Sequence, residues 1–427
     1  MNFAVVNLGC KVNRVESDDA SARLAARGTE TAEADADLIV VNTCTVTGEA
    51  EKKTRKAVRR ALRANDRARV LVTGCAAAVD AAFYEALDPR VRVVGKARLA
   101  EEIEAWCDSE GVSAAPPLLP AAAAGFRTRV GVKVQDGCDN ACTYCIVHVA
   151  RGRATSRAAD GVVRECAEYA RAGAGEIVLT GINLGSYCDG ARRDPSATRL
   201  AGLLRRLLDE TADLHAPGAF PVRFRISSIE PRDVDDALVD LLAAADGRVC
   251  RHLHLPLQAG SSKVLREMAR PYDADRFRAL VERLYAAVPG LALSTDVIAG
   301  FPGETDAEFQ ETLDLARACR FAKMHAFPYS RRAGTPAAER PDQVPPDIKA
   351  ARAAALARAR RRAARGRARA ARRHRRARLG RGGRRRHVGE LLRACRFRRR
   401  AHGLARQDRR CSVPKEAHDR APHPETW

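Results

Sequence analysis

The chain of 427 residues is long enough for two or three domains, each with its own core. Its thirteen cysteines come with no basic-then-apolar leader and no run of membrane-spanning length. That excludes a secreted disulfide scaffold and a membrane protein, and leaves the reading of a cytoplasmic protein whose reduced thiols can take metal.

The net charge of +22 points to nucleic acid until its distribution is read. Residues 351–400 hold 22 arginines, no lysine and one acid, Glu390, against 53 basic and 52 acidic side chains in the rest. The body is therefore near neutral, and any RNA-facing surface on it is local.

The first hundred residues alternate strand and helix. Phe3–Leu8, Asp37–Val41 and Arg69–Thr73 are short apolar runs of strand length, with helical periods over Ser17–Arg27 and Gly48–Ala64 between them. This βαβαβ order predicts a parallel sheet, and just past each strand stands a cysteine: Cys10, Cys44 and Cys75. Ligands of open α/β sheets bind at that edge, so the three converge on one site. One such cysteine would be a small apolar packing residue; three at equivalent positions argue for a second metal cluster. The helix after Cys44 carries Lys52, Lys53, Arg55, Lys56, Arg59, Arg60 and Arg63, a face that is either solvated or phosphate-facing.

Residues 107–125, with Pro116, Pro117, Pro120 and an alanine run, read as a linker between a domain at 1–106 and a second at 126–340. In the second, candidate strands at 131–135, 176–180, 222–227, 252–255, 291–298 and 323–329 alternate with helices at 156–172, 198–208, 234–245, 262–287 and 306–318. Six βα units in about 200 residues suit a partial, six-stranded parallel barrel of the TIM type. The fold class is thus α/β throughout. Beyond Pro341 alanine and arginine alternate without a strand or helix period, so 341–427 reads as an arginine-rich tail, an RNA-binding segment or the product of a shifted reading frame.

The loop after the first barrel strand holds Cys138, Cys142 and Cys145, spaced C-x3-C-x2-C with no fourth cysteine at ligand distance. A structural zinc site takes four protein ligands, whereas a four-iron cluster on three thiolates keeps one iron open. Cys107, Cys166, Cys188, Cys250, Cys319, Cys395 and Cys411 have no partner spacing and read as packing thiols. His252 and His254 share a strand face, where core polar satisfaction is the simpler reading.

Two three-cysteine sites in this order resemble the methylthiotransferases of the radical S-adenosylmethionine (SAM) superfamily over roughly residues 2–340. Leu8-Gly9-Cys10-Lys11-Val12-Asn13 and Val41-Asn42-Thr43-Cys44-Thr45-Val46-Thr47 look most like the branch that modifies threonylcarbamoyladenosine in tRNA. Cys138–Cys145 followed by Ala150-Arg151-Gly152-Arg153, Arg225–Pro231, His254–Ser261 and Asp296–Thr305 also resemble family segments.

The resemblance implies two 4Fe-4S clusters. Cys138, Cys142 and Cys145 would hold one, to which SAM binds, and Cys10, Cys44 and Cys75 the auxiliary one that carries the sulfur to be inserted. Cleaved SAM would yield the radical that takes hydrogen from adenine C2, and a second SAM would donate the methyl group. SAM contacts are expected from Tyr144, Gly175, Glu176, Ser228, Glu230 and Gly300, and phosphate contacts from Arg151 and Arg153. Also implied are a tRNA substrate, an electron donor such as flavodoxin or ferredoxin, a monomeric chain and no membrane. The family's small C-terminal RNA-binding β-barrel has no recognisable counterpart here. Two readings stay open beside this one. In the first, the same chemistry acts on isopentenyladenosine in tRNA or on a ribosomal-protein aspartate; in the second, the chain is a non-catalytic iron–sulfur or zinc protein that binds RNA.

Overall fold

A computed structural model describes residues 1–112, 129–215 and 220–359. Most of the 107–125 linker and the arginine-rich tail from 360 onward lie outside those residues.

In the N-terminal sheet the parallel strands run Thr29–Glu30, Asn2–Asn7, Leu38–Thr43, Arg69–Gly74 and Val91–Val93. Leu38–Thr43 lies in the middle and is buried at every residue, as a strand covered on both faces must be. Alternate side chains serve alternate layers: Ile39, Val41, Val70 and Val72 pack with Val58 and Ala61 on one side, and Leu38, Val40 and Leu71 with Phe3, Ala20, Leu24 and Ile103 on the other. The first helix begins at once after Cys10, as Lys11–Ala25, earlier than its apolar period alone implies. The helix Gly48–Ala64 starts where expected, because the Thr47 hydroxyl accepts from the Ala50 amide and Glu49 and Glu51 occupy its first turn.

Six parallel strands form the second sheet system: Val130–Lys133, Glu176–Thr180, Arg223–Ile226, His252–His254, Ala292–Ala299 and Lys323–Pro328. They pair three and three, and the halves meet through the bridges Phe224↔Val249 and Ser228↔His254. Ile177, Leu179, Phe224, Ile226, Leu253, Leu293 and Met324 join the core under the helices. Their alternating neighbours face the lumen.

Two expectations are corrected. The 262–287 period is broken into Ser262–Glu267 and Ala274–Ala287, because Ala269 turns to φ +54° and Pro271 cannot continue a helix. The folded body also does not end at 340. Residues 346–359 are helical, Leu356 is fully buried, and Arg352 bonds Glu304 at 2.8 Å and Asp306 at 2.7 Å. Lys349, Arg352 and Leu356 recur at helical spacing, a stripe that the alanine and arginine around them conceals.

The two sheets meet directly. A Cβ on Gly131 would lie 2.4 Å from Val15, so the helix Lys11–Ala25 lies against the first barrel strand, and Lys133 pairs with Glu16 at 3.0 Å. Beyond the last strand, Ser330 accepts from the Gly48 amide at 3.0 Å, while Arg332 pairs with Glu51 at 2.8 Å and bonds the Thr45 hydroxyl.

Candidate functional site: two cysteine triads and a buried arginine

The loop of Cys138 leaves the barrel through Gln135–Asp136, which pairs with Thr155–Ser156. Gly137 sits at φ +67°, where a Cβ would stand 1.9 Å from the Arg153 carbonyl, so only glycine permits this exit. The Gln135 side chain braces the loop: its amide donates to the carbonyls of Asp136 and Gly137, and its oxygen accepts from the Asn183 amide at 2.8 Å.

Each sulfur of the triad has a donor. The Asn140 and Val147 amides point at Cys138 and Cys145 at 3.4 Å, and Arg270 Nη1 points at Cys142 at 3.2 Å. Burial and the neighbouring thiols push the Cys145 thiol up to about 11, so a bound cluster would displace protons on assembly. Arg270, from the broken helix, also donates to Tyr272 at 3.1 Å and Tyr144 at 3.4 Å and forms an ion pair with Glu230. It was not singled out from sequence, although Pro271 inside a helical period marked the break that delivers it.

The structure sorts the expected cofactor contacts. Tyr144, Ser228 and Glu230 lie at the strand-exit end, with the Tyr144 hydroxyl drawn toward Arg270. Gly300 also follows a strand exit, at φ +73°, but its amide donates to Glu304 at 2.7 Å and Lys349 fills the space beside it.

Gly175 and Glu176 are not brought to the site. Lys133 is level with Thr180, so Glu176 begins its strand at the opposite end of the barrel. There it is clamped by Arg225 at 2.6 Å and by Arg223 and Arg129 at 3.0 Å. Burial alone would raise its carboxyl, but Arg225, with Arg129, holds it at about 2. The residues at the correct end of that strand are Gly181 and Asn183, packed on Gln135.

Cys10, Cys44 and Cys75 converge at the carboxyl edge of the first sheet. Two asparagines set the loops. Asn13 donates to Asn42 at 3.1 Å and to the Thr43 carbonyl at 2.8 Å, and Asn42 donates back to the Asn13 carbonyl at 2.9 Å. Gly74, at φ +98°, lets the chain pass where a Cβ would meet the Thr43 carbonyl at 2.4 Å. Burial, with the charges of Cys10 and Cys75 close by, pushes the Cys44 thiol up. Cys75 receives Lys96 Nζ and Arg151 Nε, both at 3.3 Å.

A single zinc ion with thiolates at about 2.3 Å draws its sulfurs to within about 4 Å of one another. Among the described residues neither triad closes to within 4.8 Å. Three thiolates that converge with cations and amides on the sulfurs fit a larger, multinuclear group with an open position.

Arg151 links Cys75 to Asp136, at the base of the Cys138 loop. It is expected from sequence to face phosphate, yet its side chain is completely buried. Its guanidinium bonds Glu16 at 2.9 Å, Asp136 at 2.8 Å, Asn13 at 2.6 Å and Cys75 at 3.3 Å. Burial would raise the Asp136 carboxyl, but Arg151 and Lys133 pull it down to about 2. Arg153 does point outward. A shallow groove is lined by Lys52, Arg55, Lys56, Arg59 and Arg63, five of the seven cations of the helix after Cys44.

Inside the barrel, Asp296 accepts from His325 Nδ1 at 2.9 Å and pairs with His254 Nε2 at 3.2 Å, while Ser294 bridges His254 and His252. The polar-satisfaction reading of His252 and His254 matches this network for His254, whereas His252 Nδ1 is buried without a hydrogen-bond partner.

Residues 132–316 match the Radical SAM superfamily, and residues 2–95 the Uncharacterized protein family UPF0004. The chain is 39% identical over 357 residues to the threonylcarbamoyladenosine tRNA methylthiotransferase MtaB of Bacillus subtilis (strain 168), covering 80% of this chain and 76% of that protein. It is 32% identical over 373 residues to the tRNA-2-methylthio-N(6)-dimethylallyladenosine synthase of Carboxydothermus hydrogenoformans, covering 82% and 81%. Among solved structures it shares a fold with the radical S-adenosylmethionine methyltransferase TsrM from Kitasatospora setae, at a TM-score of 0.54 and 16% identity over 79% of this chain and 77% of that one.

Proposed function

The chain belongs to the radical SAM methylthiotransferase family, whose cofactors are 4Fe-4S clusters and SAM, and from that premise we propose that it methylthiolates C2 of N6-threonylcarbamoyladenosine next to the tRNA anticodon. The observation that supports this reading is that one buried arginine, Arg151, bonds Cys75 of one triad and Asp136, two residues before Cys138 of the other. Bound at these sites, the clusters and SAM supply radical cleavage of SAM and the sulfur and methyl group that are transferred.

The protein's own residues bind and orient. Cys138, Cys142 and Cys145 hold the cluster that takes SAM, in a loop braced by Gln135 and Gly137, and Cys10, Cys44 and Cys75 hold the auxiliary one. Arg270 and Lys96 place positive charge beside the sulfurs of Cys142 and Cys75, which complements the negative charge that a bound cluster would bring. Glu230, Ser228, Tyr144 and Gly181–Asn183 shape the strand-exit face that a bound SAM would meet. The reducing electron comes from a small donor such as flavodoxin or ferredoxin, and the chain works as a cytoplasmic monomer. Among the described residues no helix is long and apolar enough to cross a membrane.

Substrate choice within tRNA follows the Lys11–Val12–Asn13 and Thr45–Val46–Thr47 motifs, which resemble the threonylcarbamoyl branch. The test is anaerobic reconstitution with iron, sulfide, SAM, reductant and tRNA. Methylthio-threonylcarbamoyladenosine and 5′-deoxyadenosine are expected from the wild type. Cys142→Ala should form neither. Cys75→Ala should keep deoxyadenosine formation and lose the methylthio product. Deoxyadenosine at the wild-type rate from Cys142→Ala would sink the assignment, and a methylthio product on isopentenyladenosine alone would move the substrate to the other tRNA branch.

A further inference from the structure

Apolar side chains stand exposed on the segments that carry the two triads. Among the described residues six large apolar side chains are exposed, and three of them, Val46, Val79 and Val149, follow Cys44, Cys75 and Cys145 by two to four residues. A fourth, Phe327, is 41% exposed although it belongs to the last barrel strand, Lys323–Pro328. Single exposed apolar residues are ordinary, but a group of them around one site marks a surface that something covers.

Phe327 faces the lumen at its exit end. Met324 joins the outer core, so His325 and Phe327 take the opposite face of the strand, with their rings 6.3 Å apart. Phe327 is level with Ile298, two residues before Gly300, and His325 is level with Asp296. Asp296 holds the His325 ring and also pairs with His254, which is level with Ser228 at the strand exits. Phe327 is thus the outermost ring of a supported tier. An aromatic ring held from one side and open on the other is a stacking platform.

The chain beyond Phe327 ties this platform to both triads. Ser330 and Arg332 hold the segment after Cys44 at Gly48 and Thr45, and the Ala337 amide donates to the carbonyl of Thr143, between Cys142 and Cys145, at 2.9 Å. A Cβ on Gly334 would lie 3.7 Å from Ile146, the residue after Cys145. A flat group resting on Phe327 would therefore lie at the rim where the two cysteine loops are fastened together. Tyr144, the other aromatic of the site, packs on the core with its hydroxyl drawn to Arg270, which suits a small cofactor held inside. Phe327 is open to a base that arrives from outside on a large RNA.

We propose that Phe327 is a positioning residue on which the target adenine stacks after it swings out of its RNA loop, so that the base is held at the rim between the two triads. This inference rests on a tRNA adenosine being the substrate. It does not depend on the N6 substituent, because every purine offers the same face to a ring.

Anticodon stem-loop RNAs with the target nucleoside intact or replaced by an abasic ribose separate the base from the backbone. Binding is measured anaerobically on the fully reconstituted, full-length enzyme. The wild type should favour the intact RNA by about tenfold or more, the scale of one base stacked on one ring. In Phe327→Ala that preference should fall toward one, with iron content and SAM affinity as in the wild type, and in Phe327→Trp it should be kept. Each preference is a ratio within one preparation, so partial misfolding cancels from it.

A Phe327→Ala ratio equal to that of the wild type overturns the proposal, as does a wild type that binds both RNAs equally. A loss of SAM affinity with the ratio unmoved overturns it as well, because the adenine held is then that of the cofactor. The ratio is taken with whichever N6 substituent the wild type methylthiolates. The product thus decides between the tRNA branches, and the variants decide on the platform.

Discussion

Three guanidiniums converge on the carboxylate of Glu176, and the effect is on stability rather than cofactor affinity. The folded value of about 2 lies below the ordinary 4.5, so the contribution is fully present above about pH 4.5 and is lost as pH falls toward 2. A depression of that size corresponds to about 3 kcal/mol. Glu176→Gln should lower unfolding stability by about that amount at pH 7 in urea titrations. The difference from wild type should shrink below about pH 3. SAM affinity of the folded variant should be unchanged, because Glu176 stands at the barrel end away from the cysteine loop. A large loss of SAM affinity would return Glu176 to the cofactor site.

At the scale of elements, the helix at 346–359 closes over the last strand exits. Leu356 is fully buried in the main core, so Leu356→Ala should cost about 3 kcal/mol, read as a shift of the urea midpoint. Truncation after residue 345 should expose that core and aggregate, whereas truncation after 359 should leave a soluble protein with normal iron content.

The sequence showed these elements unevenly, for physical reasons. The candidate runs at 131–135, 176–180, 222–227, 252–255, 291–298 and 323–329 fall on all six barrel strands, and the cysteines past three N-terminal strands located the second triad. The helix at 346–359 was obscured because its stripe of Lys349, Arg352 and Leu356 is embedded in a composition that looks polar all round. Glu176 was misjudged by motif resemblance, although the rule that barrels bind at strand exits already pointed five residues further on, to Gly181. Arg151 could not be read at all. An arginine in a loop is by default exposed, and the groups that bury it, Glu16, Asn13 and Cys75, lie 76 to 138 residues away in sequence.

On the scale of the whole molecule, Arg151 holds the two sheet systems in register. Its removal leaves the Glu16 and Asp136 carboxylates partly buried without their main cation, a change that costs about 3–5 kcal/mol when the partner is fully enclosed. Arg151→Gln should also separate the two halves of the chemistry. Cys75 loses a donor, while Cys142 keeps Arg270. Methylthio product should therefore fall further than deoxyadenosine in the same assay, and Arg151→Lys should recover part of both. Equal loss of the two products would show that Arg151 acts on stability alone.

The same strut limits what can be exchanged between relatives. A chimaera that grafts the N-terminal sheet of another methylthiotransferase onto this barrel would keep six cysteines and still depend on whether the graft's equivalents of Glu16, Asn13 and Cys75 meet this Arg151. The domain that carries the auxiliary site is therefore no portable cassette. Its counter-charge is lodged in the neighbouring domain, so the two halves must diverge in step, and transplants should succeed only when the short helix Val147–Arg151 travels with the sheet it supports.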